Sequence, residues 1–316
     1  MTKRSALRMT KRTAAKQASF RGAAEESCLL LTAEHATNRV PPGLAKKLRV
    51  PPGVLRSHRG WDPGTAELVR AIFDAAPRHR RHGRILEGTL TRLAVDLNRS
   101  ENNPEVFSKW ARGNLPDADR EKLLRSHRAF RKQARRAADR ILLTPESHVI
   151  HLSIHSFTPV LRGARRTTDI GILFDPARPQ EAAIARRLIR ILQSPAMTER
   201  FGFFRVDANK PYLGTADGHT VELRSNLRAS RYSGIEIEVN QRFVRKKSQQ
   251  DRNDRWAKML RLISLAVREL LEPEEENDGK GSSRHKRARP VGRRIARRVS
   301  SRGAQGHRRD RRRRGA

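Results

Sequence analysis

Two histidines stand directly after runs of apolar residues, next to acidic side chains. His35 lies in EHATN (34–38) and His155 lies in HSF (155–157). Imidazole and carboxylate ligands that leave one position open are typical of catalytic zinc sites. Zinc would lower the pKa of a bound water and polarise a substrate carbonyl. The two histidines are therefore the first candidates for chemistry, although a lone histidine at a strand end more often has a structural role.

A second group of polar side chains offers the other parts of a hydrolytic site. Glu236 and Glu238 point to one face of a predicted strand, because side chains alternate along a strand. A glutamate near the reacting water could take its proton and pass it to a leaving amine. Arg99, in DLNR (96–99), carries a planar fork that suits a substrate carboxylate. Together these residues predict hydrolysis of an amide bond in an anionic substrate.

These side chains must be positioned by strands that alternate with helices. Apolar or alternating runs predict strands, and apolar residues at helical spacing predict helices. Strands separated by helices pair in parallel through right-handed crossovers, and ligands bind beyond their carboxyl ends. We therefore predict one α/β domain over residues 25–275. Its strands are predicted at 27–33, 91–97, 148–154, 168–174 and 232–239, and its helices at 64–76, 117–143, 179–193 and 254–271.

The net charge of +36 is concentrated at the two ends of the chain. Residues 280–316 hold sixteen Lys or Arg and one acid, and residues 1–22 hold seven basic side chains and no acid. Such segments bury too little apolar surface to offset the entropy of ordering, so 1–22 and 278–316 are predicted to be disordered tails. Their charge predicts weak, non-specific binding of nucleic acid or other polyanions.

The sequence predicts a cytoplasmic protein that does not enter a membrane. No apolar stretch approaches the roughly 20 residues of a membrane span. The N-terminus lacks the apolar region of a secretory signal. The single cysteine, Cys28, lies in an apolar run and is expected to be a buried structural residue, which suits a reducing compartment.

Several residues have a second interpretation at this point. Asp62, in GWDPG, could cap the following helix, and Asp96 could orient Arg99. Ser156 is not expected to be a nucleophile, because the chain has no G-x-S-x-G elbow. Five other histidines are expected at the surface or in loops: His58, His79, His82, His127 and His219.

Seven sequence blocks occur in order over roughly residues 25–270: TAEHATNRVP, HRGWDPGTAEL, AVDLNRSENNPEVF, IHSFTPV, DIGILFD, NKPYLGTADGHT and GIEIEVNQ. Together they resemble the N-formylglutamate amidohydrolase family. This resemblance implies a fold related to the zinc carboxypeptidases (phosphorylase/hydrolase-like), with a mixed, mostly parallel sheet flanked by helices. It also implies a metal-dependent amidohydrolase that removes an acyl group, formyl in the naming case, from a small anionic N-acyl amino acid.

The resemblance also implies a role for individual residues. His35 and His155 look like ligands of zinc or another divalent metal, and Asp62 is the preferred third ligand. Glu34 and Asn38 are the less preferred alternatives for that position. The other implied roles are substrate binding through Asn98, Arg99, Asn209 and Tyr212, and catalysis by Glu238 with Glu236 as the alternative base.

Two other functions stay open at this point. Family members need not share an acyl pocket, so a peptidase or a deacylase of a larger amide on the same scaffold is one alternative. A polyanion-binding protein with a silent hydrolase domain is the other, because of the basic tails. The oligomeric state and the identity of the metal are left open.

Overall fold

The computed structural model describes residues 27–81, 85–244 and 250–272, with no side-chain description for 250–253. The predicted tails, 1–22 and 278–316, lie outside these residues, as does His82. No helix within the described ranges is long and apolar enough to cross a membrane.

The described strands build a six-stranded sheet and a separate short hairpin. The sheet order is β2-β1-β3-β8-β6-β7, and the hairpin pairs β4 with β5. The strands are β1 Ser27–Ala33, β2 Leu86–Glu87, β3 His148–Phe157, β4 Val160–Leu161, β5 Ala164–Arg165, β6 Ile170–Leu173, β7 Val206–Ala208 and β8 Tyr232–Asn240.

The helices of the described chain lie between groups of these strands, although β3 to β6 follow one another without a helix. Their bounds are α1 Ala45–Leu48, α2 Pro52–Leu55, α3 Thr65–Ala75, α4 Lys109–Asn114, α5 Asp117–Ile141, α6 Pro179–Leu192, α7 Pro195–Phe201, α8 His219–Asn226 and α9 Gln250–Leu270.

The sheet is mixed and mostly parallel, which confirms the predicted fold class. β1 is parallel to β2 and β3, and β3 is parallel to β8. The exception is β6, which runs antiparallel to β8 and parallel to β7. The carboxyl ends of β1, β3 and β8 consequently meet at one edge of the sheet.

Apolar side chains on the two faces of the sheet pack against different helices. In β1, Leu29 and Leu31 belong to one core with α3, α6 and α9, whereas Leu30 belongs to the other core with α5. This division follows from the alternation of side chains along a strand. Burial of each such aliphatic side chain contributes about 1.5–3 kcal/mol to the free energy of folding. Packing on both faces therefore keeps the sheet, and the edge that carries the site, in place.

The prediction of a strand at 91–97 is wrong. This segment forms turns, in which the Ala94 amide donates to the Thr91 carbonyl at 3.0 Å. Val95 and Leu97 are buried, but they fill a core without pairing to a strand. Alternating apolar residues indicate that side chains are buried, but burial alone does not distinguish a strand from a packed turn. The parallel partner on that side of β1 is β2.

Candidate functional site

The site lies where β1, β3 and β8 end next to one another. His35 follows β1, while His155 and Glu238 lie directly opposite each other on β3 and β8. A cavity of about 180 Å³ opens at this edge. Its lining comprises His35, Asp62, Arg92, Asn98, Arg99, His155, Ser156, Leu173, Tyr212, Leu213, Ala216, Asp217, Glu236 and Glu238.

Three side chains that are distant in sequence converge on one point of this cavity. Asp62 Oδ2 lies 3.2 Å from His35 Nδ1 and 3.1 Å from His155 Nδ1. All three residues are buried, and one ligand atom from each lies within 4.8 Å of the others. Atoms bonded at ~2.0–2.1 Å to one tetrahedral ion lie about 3.3 Å apart. The two distances to Asp62 Oδ2 therefore match those expected between ligands of one shared cation.

The other nitrogen of each imidazole is held from behind. His35 Nε2 lies 2.6 Å from Asp96 Oδ1. His155 Nε2 lies 2.9 Å from Ser153 Oγ and 3.3 Å from Glu34 Oε2, and Asn98 Nδ2 also lies 3.3 Å from it. Ionised carboxylates only accept hydrogen bonds, so when a cation occupies the Nδ1 side, Asp96 and Glu34 keep the remaining proton on Nε2 of each ring. Both Nδ1 lone pairs then face Asp62.

This arrangement favours a positive charge between the rings. Burial lowers the pKa of both imidazoles, and Arg92 lowers that of His35 further. Neighbouring carboxylates outweigh these effects, so the pKa of His35 is raised and that of His155 lies well above its usual value. Two lone pairs and a carboxylate oxygen at van der Waals distance repel one another unless a proton or a cation lies among them. The donor set and its charge thus fit a divalent metal.

Asp62 is placed for this role by its backbone and by Arg92. Its amide donates to the His35 carbonyl at 3.0 Å, and Arg92 Nη1 donates to its Oδ1 at 3.3 Å. Burial raises the pKa of Asp62, but His35, His155 and Arg92 together lower it well below the usual range. The N-cap of α3 is Gly64, and no side chain caps that helix. The carboxylate of Asp62 consequently serves the cluster rather than the helix.

The alternatives for the third ligand are placed differently. Glu34 is fully buried, but its oxygens contact Ser153, His219 and the far nitrogen of His155. Asn38 is half-buried and does not line the cavity.

Glu238 and Glu236 both line the cavity but differ in their surroundings. Glu238 Oε2 is buried and has no hydrogen-bond partner among the described residues. Burial, with help from Asp62 and Glu236, raises the pKa of Glu238 to about 8, against the opposing effects of His155 and Arg92. Glu236 Oε1 accepts a hydrogen bond from Thr220 Oγ1 at 2.7 Å. The unpaired oxygen makes Glu238 the more available of the two for proton transfer.

Asn98 and Arg99 reach the cavity from the turn after Asp96. Asn98 Oδ1 accepts from the His219 amide at 2.7 Å, which fixes the orientation of its side chain. Arg99 Nη1 donates to the Asp217 carbonyl at 3.0 Å, and its Nη2 lies 4.0 Å from the exposed carboxylate of Glu105. Within the described part of the chain, the other N–H groups of Arg99 make no hydrogen bond, so they can bind an anionic ligand.

The loop that carries Asn209 and Tyr212 lies beside the cavity. Asn209 Oδ1 accepts from the amides of Phe174 and Gly214, both at 3.0 Å, and Asn209 does not line the cavity. Tyr212 does line it and is 41% exposed. A Cβ at Gly171 would lie 2.0 Å from the Lys210 carbonyl, so this glycine allows the loop to approach the sheet.

Several residues of the site were not predicted from the sequence. Asp96 contacts His35 rather than Arg99, and Arg92 bridges Asp62 and Asp96. His219 and His127 were expected at the surface or in loops, but each is at most 1% exposed. The position of Asp96, two residues before Asn98, was a signal in the sequence that Asp96 lies at the site. No signal in the sequence indicated Arg92, because its partners are set by the tertiary fold.

The fold and the site together define an α/β enzyme with a buried histidine–aspartate cluster at the carboxyl edge of its sheet. The family model for N-formylglutamate amidohydrolase matches residues 27–245, and the chain belongs to this family. It is therefore a hydrolase of the class that acts on carbon–nitrogen bonds other than peptide bonds. The family resemblance noted in the sequence is confirmed.

Two solved structures are similar to the chain. Gene product Atu2144 from Agrobacterium tumefaciens has a TM-score of 0.59 and 22% identity, covering 80% of this chain and 94% of that one. N-formylglutamate amidohydrolase from Ralstonia eutropha JMP134 has a TM-score of 0.58 and 17% identity, covering 77% and 92%. At these identities the likeness supports the fold. A comparison with curated proteins finds no match.

Proposed function

We propose that the protein hydrolyses the amide bond of a small anionic N-acyl amino acid, with N-formylglutamate as the first substrate to test. The observation that carries this proposal is the convergence of His35, Asp62 and His155 on a cavity that also holds Glu238 and Arg99. Family membership and the name of the similar R. eutropha protein support the choice of substrate.

His35, Asp62 and His155 would hold the metal, for which zinc is our proposal because two imidazoles and one carboxylate suit it. A divalent cation at this place supplies Lewis acidity, which polarises an acyl carbonyl and acidifies water. Asp96 would keep the proton on His35 Nε2, so that Nδ1 could bind the cation. Arg92 balances the charge of Asp62 and Asp96.

Glu238 is the proposed general base. Its free Oε2 can take a proton from water and return it to the amine that leaves. A neighbouring cation favours the ionised form of a carboxylate, so metal binding would bring the pKa of Glu238 down from about 8 toward the range useful for a base at neutral pH. Glu236 is the alternative base, but its bond to Thr220 engages one oxygen.

Arg99 is the proposed partner of the substrate carboxylate, and Asn98 and Tyr212 would line the same space. A guanidinium can bind a carboxylate through two parallel hydrogen bonds. Asn209 would act by shaping the loop, because its side chain is bound to backbone amides. The cavity volume of about 180 Å³ favours a small substrate over a long peptide, since sites for drug-sized ligands measure roughly 300–1,000 Å³.

The test is metal analysis of the whole chain together with turnover of N-formyl, N-acetyl and N-succinyl amino acids. The proposal expects about one divalent metal per chain and release of free amino acid from the short acyl substrates. Activity only on long peptides would replace this function with that of a peptidase. Full turnover after complete removal of metal would overturn the metal-dependent reaction. The cytoplasmic location and the binding of nucleic acid by the tails stay predictions.

A further inference from the structure

A second buried carboxylate lies behind His155, on the side opposite Asp62. Glu34 follows the end of β1 and is 0% exposed. Its Oε2 lies 2.8 Å from Ser153 Oγ and 3.3 Å from His155 Nε2. Its Oε1 lies 2.7 Å from His219 Nδ1. Every one of these partners is also buried.

We propose that Glu34 is the positioning residue that fixes the tautomer and the direction of His155 in the metal centre. This inference rests on the proposed function, because it concerns a ligand of the metal. Glu34 would not contact substrate or metal, and would act only through the imidazole.

The direction of the hydrogen bonds carries the argument. The Ser153 hydroxyl donates to Glu34, so its oxygen must accept from His155 Nε2–H. Glu34 Oε2 also accepts from that N–H at the longer distance of 3.3 Å. With a cation bound, the proton is thereby held on Nε2, and the Nδ1 lone pair, 3.1 Å from Asp62 Oδ2, is available as a ligand. A carboxylate behind a ligating imidazole fixes the ring and makes it a stronger ligand.

The same geometry recurs on the other ligand, which supports the assignment. Asp96 lies behind His35 Nε2 as Glu34 lies behind His155 Nε2. Both rings therefore present Nδ1 to the same oxygen of Asp62. Glu34 itself is held by His219, whose Nδ1–H donates to Oε1. Since a buried carboxylate is costly without partners, this support from His219 explains why Glu34 can remain in the interior.

Glu34, His151 and His219 are also close enough to one another to bind a cation themselves. Their contacts favour a hydrogen-bonded support instead. His151 Nε2 lies 2.9 Å from Thr32 Oγ1, and its Nδ1 lies 2.7 Å from the Tyr232 hydroxyl. Both nitrogens of His151 and both oxygens of Glu34 are therefore engaged.

The experiment measures zinc affinity by competition with a chromophoric chelator, at one pH, for the full chain and its variants. Glu34→Gln keeps the shape of the side chain but can offer an N–H to His155. It is expected to weaken zinc binding about 10–100-fold. Ser153→Ala removes only the bridging hydroxyl and is expected to give a smaller loss. The visible spectrum of the cobalt-substituted protein should change in Glu34→Gln, because one ligand loses its orientation.

Glu181→Gln is the matched control, because Glu181 is also 0% exposed and is bound to Arg224 and the Gly234 amide, away from the cavity. Its zinc affinity should stay within about twofold of the wild type, even if its stability falls. Equal affinity in the wild type, Glu34→Gln and Ser153→Ala would overturn the role of Glu34 and leave the metal centre intact. Failure of the wild type to bind zinc or cobalt would overturn the metal centre and this inference with it. Two zinc ions per wild-type chain, one of them lost in Glu34→Gln, would show that Glu34 is a ligand and not a positioning residue.

Discussion

His155 and Glu238 lie directly opposite each other on the paired parallel strands β3 and β8. Residues that are paired in this way point to the same face of the sheet, so the register alone places a candidate metal ligand beside a candidate base. A slip of one residue would turn either side chain to the other face. The buried residues that flank them, among them Ile154 and Ile237, fix that register because they are fully enclosed by the core.

Replacing Asp62 by asparagine is expected to abolish tight zinc binding. The change removes the charge that both Nδ1 atoms face and leaves a much poorer ligand. We expect a loss of zinc affinity of more than about 100-fold, beyond that for an outer-shell partner, and a comparable loss of kcat/KM. Equilibrium dialysis with zinc is the measurement. Asp169→Asn is a suitable control, because Asp169 is buried and paired with Arg242, outside the cavity lining. Unchanged zinc binding in Asp62→Asn would exclude Asp62 as a ligand.

Replacing Glu238 by glutamine is expected to lower kcat by about 10²–10⁴-fold, the usual contribution of a general base. The variant should still bind zinc, because Glu238 is not among the three converging ligands. Steady-state kinetics with the best N-acyl substrate, together with metal analysis, tests both points. The same substitution at Glu236 provides the comparison. A larger loss of kcat in Glu236→Gln than in Glu238→Gln would reverse the two roles.

Replacing Arg99 by alanine is expected to raise KM for substrates that carry a carboxylate. Hydrogen bonds to charged groups contribute about 1.5–3 kcal/mol, which corresponds to roughly a 10–150-fold change. A substrate analogue with a carboxamide in place of the carboxylate should be affected much less. Arg135→Ala controls for the lost charge, since Arg135 pairs with Asp139 on the exposed face of α5. An equal effect on both substrates would show that Arg99 does not bind the carboxylate.

The elements of the fold were predictable from sequence where burial and periodicity agreed. The apolar run at β1 and the alternating runs at β3 and β8 placed His35, His155 and Glu238 correctly along one sheet edge. The strand predicted at 91–97 was wrong, because the apolar residues of this segment pack in turns.

The position of Asp62 between the two imidazoles could not be predicted from the sequence. A GWDPG turn is consistent with a helix cap as well as with a ligand, and only the fold places Oδ2 between two imidazoles. Glu34 and His219 form a contact between residues 185 positions apart, which no local pattern in the sequence indicates.

The stability of the protein is expected to fall in mild acid, in part because of His148 at the start of β3. Burial lowers the pKa of His148 to about 4, with smaller effects from Ser230, which raises it, and from Arg178 and Arg231. The unfolded chain takes up a proton near pH 6.5, but the folded protein does so only near pH 4. The contribution of His148 to the free energy of unfolding is therefore fully present above pH 6.5 and is lost as the pH falls toward 4. At 1.36 kcal/mol per pH unit, the loss from this residue is about 3 kcal/mol.

His148→Gln removes this titration, and the glutamine amide can still reach the Ser230 carbonyl and the Ser233 hydroxyl that His148 contacts. Urea unfolding at several pH values between 7 and 4.5 should show a shallower decline in the free energy of unfolding than in the wild type. Burial also lowers the pKa of His151 to about 3, so part of the decline in the free energy of unfolding should remain in His148→Gln. The matched control substitution is His79→Gln, at a histidine that is exposed to solvent. Parallel curves for the wild type and His148→Gln would mean that His148 is not the group that weakens the fold in acid.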